Sequence, residues 1–291
     1  MRRLRSVFFV FASCFCGEVE MPVDAAPPSS PEQRLAFAKQ AASMYRLRLD
    51  DRSEQVAKLY PEPLLRWNNQ VIREDDGLLF IWTEGEKGRP VAGAQFFLVD
   101  RDWNHEFQSL STNGFDAQCD GEEGGQWSWQ PKKGAIDFVK ADKIKEPAAT
   151  APQRLSQMKS IADRFTAAVD LQGDFASPEQ LRLLATPIYR YSANEHSIVD
   201  GAIFAFVQGT NPEILLVIEA EGTGADKAFR YGFARMSSFY LRVQRGDEVV
   251  WKKDREPVPT PTKDSHYYFR IQAQPDRSAE FELRARSTLP D

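Results

Sequence analysis

An internal repeat constrains the fold of this chain more than any local motif, because self-similar segments fold into self-similar units. Residues 59–85 align without gaps on residues 183–209 at an offset of 124, and seven of the 27 positions are identical. The identical pairs are Leu59/Leu183, Pro63/Pro187, Arg66/Arg190, Asp76/Asp200, Gly77/Gly201, Phe80/Phe204 and Gly85/Gly209. The same offset places Trp127 on Trp251.

A second stretch repeats at nearly the same spacing. Residues 33–49 align on residues 153–169 at an offset of 120, and five of the 17 positions are identical, among them Arg34 and Arg154. Apolar residues recur in both stretches with the spacing of one helical face. The two matches predict a tandem duplication. The alternative is two unrelated segments that share only helix and strand composition.

Each predicted unit begins with a helix and continues as an antiparallel β meander, so the expected fold class is α+β. Ser30, Pro31 and Gln33 form a capping box with proline at the first helical position, and Pro152 takes the proline position in the second unit. We expect the chain to have three parts: residues 1–25 as export signal and lead, 26–150 as the first unit, and 151–291 as the second unit. The second unit is expected to be a pseudo-twofold repeat of the first, and the two units are compatible with a single globule.

The predicted strands begin with two runs, 78–83 and 202–208, that are apolar on both faces, as central strands are. An Asp-Gly pair precedes each run, and we interpret Gly77 and Gly201 as turn residues. Aromatic content favours strand over helix for 229–243. Further strands are predicted at 91–99, 106–110, 213–220, 248–251, 267–272 and 280–286.

The N-terminus has the pattern of an export signal, with three arginines in residues 1–5 followed by an apolar run over 6–16. That run is too short to span a bilayer as a mature helix. Cleavage is expected near residues 16 and 17 or after Ala25, unless residues 11–14 act as a lipobox and Cys14 carries a lipid. The alternative is a cytoplasmic protein that starts at Met21.

Composition excludes several classes of partner and site. With 37 Lys and Arg against 42 Asp and Glu, the net charge of −5 disfavours nucleic acid and anionic membranes. We therefore expect no nucleic-acid partner, and membrane association only through the signal or a lipid. Cleavage at the later sites leaves Cys119 as the one cysteine, which excludes an intramolecular disulfide and a cysteine-based zinc site in the mature chain. We expect no cofactor and no metal.

Five residues are candidates for binding. Trp127 and Trp251 could line a glycan or peptide groove on a sheet, although core packing is the commoner use of such aromatics. Arg66 and Arg190 lie beside aromatic residues, where a cation stacks or pairs. His105 precedes an acid, but adjacent residues of a strand point to opposite faces, so the two would not act as a catalytic pair.

Several strings resemble a set of proteins from planctomycete bacteria that have no assigned activity. The strings are LYPEPLLRW (59–67), GLLFIWTEG (77–85), HEFQSLS (105–111), LRLLATPIYRY (181–191) and DGAIFAFVQGTNPEILLVIEA (200–220). The resemblance covers most of residues 30–251 and implies a bacterial origin. It implies no activity and no catalytic residues.

Two hypotheses on function follow. The first is an exported, non-catalytic binding or structural protein of the bacterial envelope, with a ligand groove where the two units meet. The second is an envelope hydrolase, which needs His105 or His196 close to an acid and a hydroxyl nucleophile at that groove. No nucleophile-elbow, zinc-protease or phosphate-loop motif supports the second.

Overall fold

The computed structural model describes residues 30–49, 55–69, 74–99, 102–119, 127–193, 197–222 and 227–272. These residues form two helices and a large number of strands, all paired antiparallel. The antiparallel, β-rich part of the predicted α+β class is therefore confirmed. The export signal with Cys14, the second histidine His196 and the strand predicted at 280–286 lie outside the described residues.

We call residues 30–150 the first segment and residues 151–272 the second. The first segment contains α1 (Pro31–Ser43), β1 (Tyr45–Leu49), β2 (Lys58–Leu59), β3 (Leu65–Asn69), β4 (Glu74–Thr83), β5 (Pro90–Val99), β6 (Asp102–Ser109), β7 (Phe115–Cys119), β8 (Ser128–Trp129) and β9 (Val139–Lys140). The second contains α2 (Ala151–Ala162), β10 (Thr166–Asp170), β11 (Glu179–Leu183), β12 (Tyr189–Ala193), β13 (Ile198–Gln208), β14 (Asn211–Glu221), β15 (Ala228–Arg235), β16 (Tyr240–Arg245), β17 (Glu248–Lys253) and β18 (Tyr267–Gln272).

Helix α1 begins as its sequence predicts. The Ser30 hydroxyl accepts a hydrogen bond from the Gln33 backbone N–H at 3.2 Å, and the Gln33 side chain accepts one from the Ser30 N–H at 3.0 Å. Two N–H groups that the first turn leaves without helical partners are thereby satisfied. The predicted capping box is confirmed. Thr150, the residue before the second helix, makes no side-chain cap of this kind.

Strands β4 and β13 are central because both of their faces are covered. Alternate residues of β4 point to opposite faces of the sheet. Phe80 and the residues on its face pack below α1. Leu79 and the residues on the other face contact β13 and β14. In β13, Phe204 packs below α2 and Ile203 faces β4. The prediction that these runs form central strands is confirmed, and they join the two segments through one shared hydrophobic cluster.

The strands form two large sheets, one built mainly from each segment, and each sheet also contains one strand of the other segment. The first sheet has the order β18-β6-β5-β4-β2, with β3 also on β4. The second has the order β17-β16-β10-β11-β13-β14-β15-β9, with β12 also on β13. Strand β9 thus belongs to the first segment but pairs with β15, and β18 belongs to the second but pairs with β6. A small third sheet, β1-β7-β8, covers the core below α1.

Buried polar contacts reinforce the junction between the segments. The Gln95 amide donates to the carbonyl oxygens of Pro212 at 2.8 Å and Met236 at 2.6 Å. Arg89 Nε donates to Glu219 Oε1 at 2.9 Å, and both side chains are buried. Gln95 and Arg89 thus have buried partners in the other segment, which a loosely tethered pair of domains would lack.

The interpretation of Gly77 and Gly201 as turn residues is wrong. Each lies within a strand, directly opposite an aromatic residue of the neighbouring strand: Trp67 faces Gly77, and Tyr191 faces Gly201. A Cβ at Gly77 would lie 2.2 Å from the Trp67 ring, and one at Gly201 would lie 2.3 Å from the Tyr191 ring. The glycines are needed because the aromatic rings lie flat across the backbone at these positions.

Because β9 and β18 each pair with a strand of the other segment, we expect the two segments to stay associated when the chain is cut between them. A specific protease site inserted between Lys145 and Glu146, both outside the helices and strands, should be cleaved without unfolding the protein. The pieces should then co-elute from a size-exclusion column, because β9, β18 and the shared cluster hold them together. They should separate only in denaturant. Separation in buffer would show that the junction is weaker than its contacts indicate.

Two tyrosines at the junction have raised pKa values, and we therefore expect the protein to lose stability at high pH. Burial, followed by the charge of Tyr60, raises the pKa of Tyr189 to about 12. Burial and the charge of Glu219 raise the pKa of Tyr191 well above its usual value. Unfolded tyrosines lose their protons near pH ~10, so above that pH the unfolded state binds fewer protons than the folded state. The free energy of unfolding should therefore fall as pH rises, by at most about 1.4 kcal/mol per pH unit for each tyrosine.

Urea unfolding of the wild type, Tyr189→Phe and Tyr191→Phe measures this between about pH 9 and pH 11. Each variant should show a shallower dependence on pH than the wild type, since one raised pKa is removed. Equal slopes in all three proteins would contradict the prediction.

Candidate functional site

Two arginines and an aspartate tie the start of α1 to strands β3 and β4. Asp76 is 4% exposed and accepts hydrogen bonds from Arg34 Nε at 2.8 Å, Arg66 Nε at 2.8 Å and Arg66 Nη2 at 2.5 Å. Arg66 Nη2 also donates to the carbonyl oxygen of Pro31 at 2.6 Å. The carboxylate neutralises one arginine and fixes the orientation of both. We call these residues the Asp76 cluster.

The second segment contains an arrangement with the same contacts, the Asp200 cluster. Asp200 accepts from Arg154 Nε at 2.9 Å, Arg190 Nε at 3.2 Å and Arg190 Nη2 at 2.6 Å. Arg190 Nη2 donates to the carbonyl oxygen of Ala151, the first residue of α2, at 2.9 Å. Both clusters therefore fasten a helix start to a pair of strands.

The strand register explains why these residues meet. Arg66 lies opposite Leu78 in the β3–β4 pair, and Asp76 is two residues from Leu78, so Asp76 is a diagonal neighbour of Arg66 on the same face. In the β12–β13 pair, Arg190 lies opposite Ala202 and Asp200 takes the same diagonal place. The acidic partners were missed as site residues, although Asp76/Asp200 and Arg34/Arg154 are identical pairs in the two alignments.

A groove of about 400 Å³ opens beside the Asp76 cluster. It is lined by Pro31, Arg34, Arg66, Trp67, Asn68, Asp76 and Thr210. Thr210 lies in the tight turn between β13 and β14, so the second segment supplies one wall. The lining contains two positive side chains and one negative side chain. The groove thus combines charged side chains with polar groups from Asn68 and Thr210 and apolar surface from Pro31 and Trp67.

Arg66 is the charged side chain of the groove that is best placed for a ligand. Its side chain is 33% exposed, whereas that of Asp76 is 5% exposed. The hydrogen bond to Asp76 raises the pKa of Arg66 above its usual value, so the guanidinium is charged at every working pH. Nε and Nη2 are bonded to Asp76 and Pro31, and Nη1 has no acceptor among the described residues.

The two candidate tryptophans are not brought together. Trp127 is 7% exposed and packs in the core below α1, with its ring centroid 4.9 Å from that of Tyr45. Trp251 is half-buried and packs against Phe233, with centroids 5.8 Å apart. The register also changes the predicted pairing: Trp129 faces Ala117 on β7, and Trp251 faces Val243 on β16, so Trp129 rather than Trp127 has the place that Trp251 has.

His105 lies in the core and not at the junction of the segments. Its side chain is fully buried, its Nδ1 is 2.6 Å from the Tyr45 hydroxyl, and its ring centroid is 4.6 Å from that of Phe96. A substrate cannot reach this ring in the folded protein. His266 is partly exposed, and its Nε2 is 3.1 Å from the carbonyl oxygen of Lys132. Neither histidine lines the groove.

A buried ionic cluster at the junction was also missed. Glu219 is fully buried and is bonded by Arg89, by Arg230 Nε at 2.7 Å and by the Tyr191 hydroxyl at 2.7 Å. The Phe138 ring lies 5.5 Å from the Arg89 guanidinium and 4.6 Å from that of Arg230. Arg89 and Glu219 are 130 residues apart in the chain, and nothing local in the sequence indicates the pair. The cluster is structural, since its acid is inaccessible.

Two features are absent from the described ranges. No three or more His, Cys, Asp and Glu side chains there are grouped closely enough to hold a metal ion. No helix in those ranges has the length and apolarity needed to cross a membrane.

Comparison with known proteins gave no match to a family model, to a curated protein or to a solved structure.

The two clusters predict matched losses of stability. Asp76→Ala and Asp200→Ala each leave two arginines without their shared acid, and each should lower the free energy of unfolding by about 2–4 kcal/mol. Urea unfolding measures both. Glu62→Ala is the control, because its ion pair with Lys39 is exposed and should contribute less than about 1 kcal/mol. A loss at Asp76 no larger than that at Glu62 would contradict the clamping role.

Proposed function

We propose that the protein is an exported, non-catalytic binding protein of the bacterial envelope and that its ligand occupies the groove beside Arg66. The observation that carries this proposal is the groove itself: a fixed, charged guanidinium with unused N–H groups faces a space of about 400 Å³ between two segments. Ligand sites are commonly concave and lie where two structural units meet. A groove of this size takes a small molecule or the end of a peptide or glycan.

We propose a non-catalytic function because of where the titratable groups lie. The lining offers arginines that stay charged and an aspartate that both arginines occupy. General acid–base chemistry needs a group that exchanges a proton near the working pH and reaches the substrate. Histidine is the residue type most often used in this way, but His105 is enclosed by aromatic rings. The hydrolase hypothesis therefore gains no support from this histidine.

We also propose that the two segments arose by tandem duplication of a unit with one N-terminal helix and an antiparallel meander. Support comes from the clusters, whose members pair at the offsets of the alignments: 120 for Arg34/Arg154 and 124 for Arg66/Arg190 and Asp76/Asp200. The positions of the register shifts give further support. They fall between Trp67 and Asn69 and between Tyr191 and Ala193, again 124 residues apart.

Export and the bacterial envelope remain proposals that rest on residues 1–25 and on the resemblance to planctomycete proteins. Sequencing the N-terminus of the protein purified from its native cells tests them. A mature start at residue 17 or 26, or a lipid on Cys14, would support export. A protein that begins at Met21 and stays in the cytoplasm would overturn it.

Binding at the groove is tested with the intact mature chain and three variants. Peptides and oligosaccharides are first screened by the rise in melting temperature, and the ligands found are then titrated calorimetrically. Asn68→Ala and Thr210→Val remove polar groups of the lining and should each weaken binding by about threefold to tenfold. Ser192→Ala is the matched control, because Ser192 lies 124 residues after Asn68 and outside the lining.

The binding measurements have three possible outcomes. Weaker binding in the two groove variants and unchanged binding in Ser192→Ala would support the proposal. A ligand that binds all three variants as tightly as the wild type would place the binding site elsewhere. A chain that binds nothing in the screen would contradict a binding function for the groove.

A further inference from the structure

We propose that the second sheet carries a second binding site, near its β17 edge, for an oxyanion group such as a carboxylate, a sulfate or a phosphate. The site consists of Arg242 on β16, Lys252 on β17 and Phe175 in the loop between β10 and β11. We call these three residues the Arg242 site. None of them lines the groove beside Arg66, so this inference goes beyond the proposed function and does not depend on it.

Two positive side chains of the site face each other across neighbouring strands. Arg242 lies directly opposite Lys252 in the β16–β17 pair, so both side chains are on the same face of the sheet. Like charges in directly opposite positions repel each other and destabilise a sheet. The next residue, Lys253, lies opposite Leu241 and belongs to the other face, which packs below α2. An anion bound between Arg242 and Lys252 would remove their repulsion.

The guanidinium of Arg242 has hydrogen-bond donors that the described part of the protein does not use. It makes no hydrogen bond and no ion pair with any described residue, and its Nε is buried without an acceptor there. Arginine has five N–H donors, and buried donors normally have a partner. The edge formed by Nη1 and Nη2 is therefore a complete fork, which can donate to two oxygens of one anion.

Phe175 is held beside the two cations in an unusual backbone conformation. Its φ is 53°, in the left-handed region that bulky side chains rarely adopt. Asp170 fixes the loop by accepting hydrogen bonds from the Gly173 N–H at 2.6 Å and the Phe175 N–H at 3.0 Å. The ring centroid lies 4.4 Å from the Arg242 guanidinium carbon and 5.8 Å from Lys252 Nζ. The ring attracts both cations and orders Arg242, so binding an anion there costs little conformational entropy.

The acidic side chains around the site do not occupy its donors. Asp170 is a diagonal neighbour of Arg242 on the same face, but it bonds the N–H groups of its own loop. Asp174 is exposed and accepts a hydrogen bond from the backbone N–H two residues further on, at 2.9 Å. Asp254 Oδ1 is 3.9 Å from Lys252 Nζ, too far for a hydrogen bond, and both side chains are exposed. Such an exposed pair is weak, so Lys252 keeps its donors for a ligand.

The experiment observes Arg242 directly by NMR. The intact mature chain, isotopically labelled, is titrated with sodium acetate, sodium sulfate and sodium phosphate, and with sodium chloride as the reference for ionic strength. The Nε–Hε resonance of Arg242 is followed together with the backbone amide resonances of β16 and β17, because buried N–H groups exchange slowly with water. Arg242→Lys removes the side-chain resonance and thereby assigns it. An oxyanion held by the fork and by Lys252 should give a shift that saturates at about millimolar concentration, whereas chloride should not.

Adjacent lysines of β17 provide a matched pair of variants. Lys252→Gln removes a donor from the face of Arg242 and should raise the Kd of the anion by about fivefold to tenfold. Lys253→Gln removes the same charge from the other face and should leave the Kd within about twofold. Asp254→Asn removes the acid nearest Lys252 and should lower the Kd by about twofold. All three residues are exposed, so each variant should unfold at the same urea concentration as the wild type.

A saturating shift at Arg242 that weakens in Lys252→Gln and not in Lys253→Gln would support the site. The three anions then identify the ligand group: sulfate and phosphate without acetate indicate a tetrahedral oxyanion, and acetate extends the site to carboxylates. The absence of a saturating shift with all three anions would overturn the inference, as would equal weakening in the two lysine variants. Binding that leaves the Arg242 and strand resonances unchanged would also overturn it. The test of the groove with Asn68 and Thr210 is independent of each of these results.

Discussion

Everything in this fold depends on strands that are apolar on both faces. A strand of this kind has no side that can face water, so each of its faces must be covered by another layer. For β4 and β13 the inner cover is the same cluster, because each strand supplies part of the other's lining. The outer cover is a helix together with short strands in both segments. The face-to-face packing of the segments is therefore a condition for stability and not an addition to two finished domains.

Charged groups are placed where this packing needs to be fixed. The Asp76 and Asp200 clusters lie at the helix starts, where a helix could otherwise slide over the sheet below it. The Glu219 cluster lies at the junction, where two arginines and a tyrosine satisfy one buried carboxylate. A buried charge is tolerable only when it is paired and hydrogen-bonded, so each of these clusters specifies one arrangement of the chain. The groove exists because the Asp76 cluster reaches the surface next to a turn of the other segment.

The sequence predicted features that short-range signals control. The capping box of α1 and the strand over 91–99 depend on residues close together in the chain, and both were found, the strand with one more residue. Gly77 and Gly201 were misinterpreted because an Asp-Gly pair is a local turn signal, whereas the aromatic ring that needs the glycine comes from another strand. The charged partners of Arg66 and Arg190 could have been predicted, because the alignments contain them as identical residues. The burial of Trp127 and His105 could not have been predicted, since residue type alone does not show which side of a strand is covered.

The pairing of β6 with β18 also has a consequence for the order in which the protein can form. The two strands are separated by about 160 residues, so the edge of the first sheet stays open until the residues of β18 have emerged from the ribosome. The first segment cannot reach its final state during synthesis, however quickly its local elements form.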